Sequence, residues 1–120
     1  MTTSRSNIPS EYDEQRVVCR YLDFLGLKYV HIVNEGLRSV QTGARLKKIG
    51  MQRGFPDLQI LKPSGKYHGL FIEMKSLKGR PTAEQKRWIV ELNSLGYYAT
   101  VCRGFDEAKQ VINDYLKGKL

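Results

Sequence analysis

Three residues that could do chemistry together, Asp57, Glu73 and Lys75, stand in the stretch GFPDLQILKPSGKYHGLFIEMK, residues 54–75. The first follows a proline; the other two interrupt an apolar run, LFIEMK, that otherwise reads as a buried strand. Strand side chains alternate, so Glu73 and Lys75 leave one face about 7 Å apart along the strand, while Leu70, Ile72 and Met74 leave the other. The KPSGK cluster between the two apolar runs marks a turn and so a hairpin, which brings Asp57, at the start of the partner strand, to the side of Glu73. Two carboxylates and one ammonium then share a small volume. Like charges so placed repel unless a cation intervenes. Hard oxygen ligands with spare positions suit Mg²⁺ or Mn²⁺, which bind through one or two carboxylates plus waters and a substrate phosphate. That chemistry is phosphodiester hydrolysis. An E-x-K triplet on a strand also occurs as a solvent-facing ion pair; the apolar flanks and the upstream Pro-Asp set this one apart.

The elements that must position these residues follow from spacing. SEYDEQRVVCRYLDFLG offers Ser10 as a cap, Val17, Val18, Tyr21, Leu22 and Leu25 at helical spacing, and Gly26 as a stop. LKYVHIV reads as a strand. NEGLRSVQTGARLKKIGMQRG is polar, basic and glycine-punctuated, a loop with one short helix. After the hairpin of DLQILK and YHGLFIEMKS comes a helix capped by Thr82, with Trp88, Ile89, Leu92 and Leu95 on one face and Gly96 as its stop. YYATVCR is another strand, and DEAKQVINDYLKG a closing helix with Ala108, Val111, Ile112, Tyr115 and Leu116 facing inward. A helix between two strands implies a parallel pairing, so the expected fold class is α/β, a mixed central sheet flanked by helices. Residues 1–9 are expected to form a flexible N-terminus and residues 10–120 one domain.

Composition narrows the partner. Lysine and arginine outnumber aspartate and glutamate 20 to 12, a formal net charge of +8, which predisposes a small chain to polyanions. Nucleic acid leads that class. Arg38, Arg45, Lys47, Lys48 and Arg53 fall in a stretch without an acidic residue and suit phosphate contact, and Lys78 and Arg80 extend the same surface. Solvated loops are also commonly charged, and convergence of these side chains around Asp57 and Glu73 separates the two explanations. No apolar run approaches the roughly 20 residues of a membrane span, and the N-terminus lacks a signal peptide's apolar core. No membrane partner and a cytoplasmic location are expected. Cys19 and Cys102 read as reduced core thiols, and His31 and His68 lack a paired ligand.

GFPD followed after a hairpin by IEMK resembles the PD-(D/E)XK nuclease signature, with Pro56 and Asp57 as its first half and Glu73, Met74 and Lys75 as its second. With SEYDEQ on the first helix and the block GRPTAEQKRWIVELNSLGYYATVCRGFDEA, the chain is similar to the VRR-NUC branch of that superfamily over residues 10–117. The resemblance implies a restriction-endonuclease-like core and a Mg²⁺-dependent endodeoxyribonuclease, Mn²⁺ substituting, that leaves a 5′-phosphate and a 3′-hydroxyl. Asp57, Glu73 and the main-chain carbonyl of Met74 would hold the metal. Lys75 would orient or activate the attacking water and stabilise developing negative charge. A first-helix glutamate completes the family's site. Glu11 has the E-x-x-x-Q spacing to Gln15, whereas Glu14 shares a helical face with Val18, Tyr21 and Leu25, and both stay open. For Glu11, the first helical turn is also where the helix dipole favours an acid. Gln85 matches a glutamine that the family places near its site, but Thr82-Ala83-Glu84-Gln85 equally fits a capping box. Minimal proteins of this branch are associated with phages and with homodimers that cut branched DNA, including Holliday junctions. The alternatives are a nuclease directed to flaps or nicks, and a nucleic-acid-binding protein that keeps the fold without the chemistry.

Overall fold

The computed structural model describes residues 8–32 and 40–120; Arg38 lies outside them. Helix α1 spans Glu11–Leu25, with the Ser10 hydroxyl accepting from the Asp13 N–H, and Gly26 closes it in the left-handed region at φ 73°. Strand β1 is Tyr29–His31, shorter than the LKYVHIV run, and helix α2 is Val40–Lys48. Among the described residues of the basic segment that helix is the one regular element, and Arg45, Lys47 and Lys48 occupy its last turn, where cations complement the helix dipole. Strands β2 (Leu58–Ile60) and β3 (Leu70–Lys75) form the expected hairpin, helix α3 (Ala83–Ser94) follows, and strand β4 (Tyr98–Arg103) leads directly into helix α4 (Gly104–Leu116). The last helix starts two residues earlier than its sequence pattern suggests, because Glu14 of α1 and Glu107 of α4 itself accept from its first N–H groups.

The sheet has the order β1-β2-β3-β4, antiparallel across its first two pairings and parallel between β3 and β4. This is the mixed α/β sheet that the pattern of elements implied. Each face is covered. On one, Val18 and Leu22 of α1 and Ala108, Ile112 and Tyr115 of α4 pack with Leu58, Ile60, Leu70, Ile72 and Met74. On the other, Phe71 and Ala99 pack with Leu92 of α3 and with half-buried Phe55, Trp88, Ile89 and Tyr97. The two faces of β3 are therefore sorted by parity, as strand alternation requires. Leu70, Ile72 and Met74 enter the larger core; Phe71 and Glu73 point toward α3. Trp88 and Tyr97 serve this smaller core, with the ring of Phe55 edge-on to both Phe71 and Trp88. Cys102 is buried and Cys19 half-buried, and both are free thiols.

Candidate functional site

The hairpin register sets the first distance. Leu58 pairs with Ile72, so one step back along the antiparallel ladder Asp57 stands across from Glu73. Neither is a surface charge: Asp57 is 3% exposed and Glu73 1%. The solvent-facing ion pair that an E-x-K triplet commonly forms is therefore not what this strand carries. Asp57 is tied down by the β3 backbone, since its Oδ2 accepts from the Met74 N–H at 2.9 Å, while its own carbonyl accepts from Ile32 N–H.

Glu73 has an unequal pair of oxygens. Oε2 accepts from Gln85 Nε2 at 3.0 Å and lies 3.6 Å from Lys75 Nζ. Oε1 is buried with no hydrogen-bond partner among the described residues. An orphaned carboxylate oxygen costs on the order of 1–3 kcal/mol or more, which invites a ligand. Glu11, from the first turn of α1, completes a group in which one carboxylate oxygen from each of Glu11, Asp57 and Glu73 lies within 4.8 Å of the others. Burial, and next the neighbouring Asp57 carboxylate, push the Glu73 acid up to about 9; Lys75 opposes this and Glu11 adds to it. Such a site is held against its own charge. Three converging carboxylates, with one Glu73 oxygen buried and unpartnered among the described residues, fit a divalent cation of the Mg²⁺ or Mn²⁺ type.

Of the two first-helix glutamates, Glu11 joins this group and Glu14 does not. Glu14 is buried and its Oε1 accepts from the Phe105 N–H at 2.8 Å. It caps α4 from the helix packed beside it, 91 residues away in the chain. Arg103, at the N-cap position of α4, makes no side-chain capping bond; instead Glu14 receives Phe105 N–H and Glu107 receives Arg103 N–H, so the helix starts at Gly104.

Gln85 is both a cap and a clamp. Its Oε1 accepts from Thr82 N–H at 2.8 Å, its own N–H donates to Thr82 Oγ1, and its Nε2 reaches Glu73. The two explanations that its sequence context left in competition use different atoms of one amide. The start of α3 is pressed close to the hairpin: Gly54 sits at φ 81°, and a Cβ there would lie 2.8 Å from the Gln85 nitrogen, so the backbone can pass only without a side chain.

The basic residues fall in three places. Lys47 and Arg53 line a groove of about 840 Å³ between α2 and α3, with Arg87, Trp88 and Met51. Arg45 and Lys48 are exposed on α2 outside that lining. Lys78 and Arg80 belong to a separate groove beyond β3, which also takes in Lys86 and Arg103. Sequence reasoning missed these last two: Lys86 is one of many exposed helix lysines, and Arg103 gains meaning only from the β3–β4 register.

Comparison with known proteins decides the lineage. The model of the VRR-NUC domain matches residues 2–106. The chain belongs to the VRR-NUC family. VRR-NUC domains are part of the PD-(D/E)XK superfamily, so the chain has a nuclease-type fold, and the family implies nucleic acid as partner and a divalent metal as cofactor. A solved structure described as a VRR_NUC domain protein is similar at 30% identity with a TM-score of 0.78, covering 92% of this chain and 91% of its own. No curated protein matches the sequence. Among the described residues of this VRR-NUC chain, no helix is long and apolar enough to cross a membrane.

Proposed function

We propose that the chain is a Mg²⁺-dependent endodeoxyribonuclease that selects branched DNA, with Holliday junctions as its leading substrate, and that it works as a homodimer in the cytoplasm of a bacterial or phage-infected cell. The observation that carries the hydrolytic part is the Glu11–Asp57–Glu73 group, with Asp57 and Glu73 buried and one Glu73 oxygen unpartnered among the described residues, set beside Lys75. Asp57, Glu73 and Glu11 are the proposed holders of the metal. Met74 joins them through its carbonyl: in a strand the N–H and C=O of one residue leave toward the same neighbouring strand, and the Met74 N–H already meets Asp57. When bound, a divalent ion supplies Lewis acidity toward the phosphate and lowers the pKa of water.

The chain's own groups do the rest. The Met74 N–H fixes one Asp57 oxygen and the Gln85 amide fixes one Glu73 oxygen, which leaves the remaining oxygens aimed rather than free to rotate. Lys75, only 13% exposed at its side chain, is a localised positive charge beside the scissile position. It orients the attacking water and offsets charge gathering on the phosphate oxygens. Arg45, Lys47, Lys48 and Arg53, with Arg38 outside the described residues, contact the DNA backbone, as do Lys78 and Arg80.

Junction selectivity and dimerisation are supported by the resemblance to minimal VRR-NUC proteins and by symmetry: one metal site per chain calls for two chains to nick two strands of like polarity. The test is a panel of labelled junction, flap, nicked and linear DNA incubated with wild type and Glu73→Gln in Mg²⁺, alongside sedimentation of the DNA complex. Paired symmetric nicks in junctions by wild type, none by the variant, and a dimer on the DNA are expected. Cutting by Glu73→Gln at the wild-type rate overturns the site assignment; flap cutting alone by a monomer replaces the junction reading with the flap-directed one.

A further inference from the structure

The lining of the second basic groove begins at Leu77, two residues beyond Lys75 at the end of β3. The groove has a volume of about 550 Å³, and Lys78, Arg80, Lys86 and Arg103 contribute four cations to its lining without one carboxylate, Leu77 and Pro81 closing its sides. In the parallel β3–β4 ladder Glu73 pairs with Val101 and Lys75 with Arg103. Paired residues on neighbouring strands share a face, so Arg103 stands beside Lys75, one strand spacing of about 4.8 Å away.

Arg103 is also held still. Its Nε donates to the Gly79 carbonyl at 2.9 Å, which fixes the plane of the guanidinium while committing only one of its five donors. Among the described residues no carboxylate is within ion-pair distance of Arg103, Lys78, Arg80 or Lys86. Glu107, the nearest acid in hydrogen-bond terms, is engaged by the Arg103 main-chain N–H. The loop that carries Lys78 and Arg80 folds tightly back on the site: a Cβ on Gly79 would lie 3.2 Å from the Lys75 Cβ and from Ser76 Oγ. Four unpaired cations crowded into one concavity repel each other until an anion enters. A guanidinium fork locked at its Nε suits a phosphate's paired oxygens.

We infer that this groove is a phosphate subsite that seats a phosphodiester next to the scissile one on the strand being cut, with Arg103 as its anchor. The inference rests on the nuclease reading and adds a ruler to it: the distance between groove and carboxylates sets which bond faces the metal site.

The test is a scan in which synthetic four-way junctions carry one neutral methylphosphonate at a time near the cut. Binding is measured in EDTA and cleavage in Mg²⁺, for wild type, Arg103→Ala, Arg103→Lys and Lys86→Ala, with circular dichroism for each. Wild type should lose about tenfold in affinity at one position adjacent to the cut. Arg103→Ala should show that loss on unmodified DNA and no further loss when that phosphate is neutral, Arg103→Lys falling between. Lys86→Ala carries the same comparison if Arg103→Ala does not fold. Identical scan profiles for wild type and variants, or an equal loss at every position, overturn the subsite. Wild type that binds with the predicted scan but never cuts keeps the subsite and removes the nuclease reading. Absence of DNA binding removes both.

Discussion

Glu73 concentrates the conflict on which the proposed chemistry depends. It is an acid buried beside another acid, and each of its two oxygens has a different fate, one clamped and one unmet among the described residues. Raised to about 9 from an ordinary 4.5, Glu73 holds a proton in the folded, metal-free protein that it gives up on unfolding. Between those values the folded state binds more protons than the unfolded state, so stability must fall as pH rises through the window. Thermal melts in EDTA are therefore expected to show a Tm that declines from about pH 5 to about pH 9, a slope that Glu73→Gln flattens. Added Mg²⁺ should raise Tm most at the alkaline end, because a bound cation favours the ionised carboxylate. A flat wild-type Tm across that range would show that Glu73 is not strained by its surroundings.

At the scale of elements, two helices act on the site through their ends. Glu14 and Glu11 are three residues apart on α1, yet one caps α4 and the other joins the carboxylate group. Glu14→Gln keeps an acceptor for Phe105 N–H, so it should retain both cleavage and stability, whereas Glu14→Ala should lose about 2 kcal/mol in denaturant unfolding. Glu11→Gln should do the reverse, folding normally and cutting poorly. Thr82→Ala removes the hydroxyl half of the α3 cap and leaves Gln85 on Glu73, so it should cost about 1 kcal/mol of stability with cleavage largely preserved. If Thr82→Ala instead abolished cutting without loss of stability, the division of labour in Gln85 would be wrong.

The same elements show why some of the site was legible in the order of residues alone. Asp57 and Glu73 could be paired because a two-residue alternation and a proline-glycine turn are local signals, and a hairpin converts them into a register. The double use of Gln85 was visible as two rival explanations, since four consecutive residues contain the whole capping box. Glu14 was not separable from Glu11. Its partner lies 91 residues away, and no local pattern announces a cap delivered from another helix. Arg103 was invisible for a related reason: the parallel β3–β4 pairing is set by how α3 packs, so the residue that falls beside Lys75 cannot be counted from the turn. The short α2 was anticipated only as one helix somewhere in a basic loop, where polar composition gives no apolar face from which to read its bounds.

The whole molecule presents positive charge in more than one place, and the two grooves should make different contributions to binding. Neutralising Arg45, Lys47 and Lys48 together should weaken DNA binding similarly across sequences. For every phosphate that these side chains no longer neutralise, the log-log salt dependence should flatten by about 0.9 on B-form DNA. Filter binding over a range of salt concentrations reads this directly, and an unchanged slope would assign α2 to solvent. Because the change leaves Asp57, Glu73 and Lys75 intact, cleavage at saturating protein should persist.

The packing of α1 carries a consequence in time. The hairpin that sets Asp57 across from Glu73 is local and can pair soon after it leaves a ribosome. Glu11, made earlier than either, rides on a helix fastened to α4: Tyr21 donates to Asn113 at 2.5 Å and its ring meets Phe105 edge-on, while Val18 and Leu22 share a core with Ala108, Ile112 and Tyr115. Of the three carboxylates proposed to hold the metal, the one synthesised first is thus expected to be seated last, once α4 has been made.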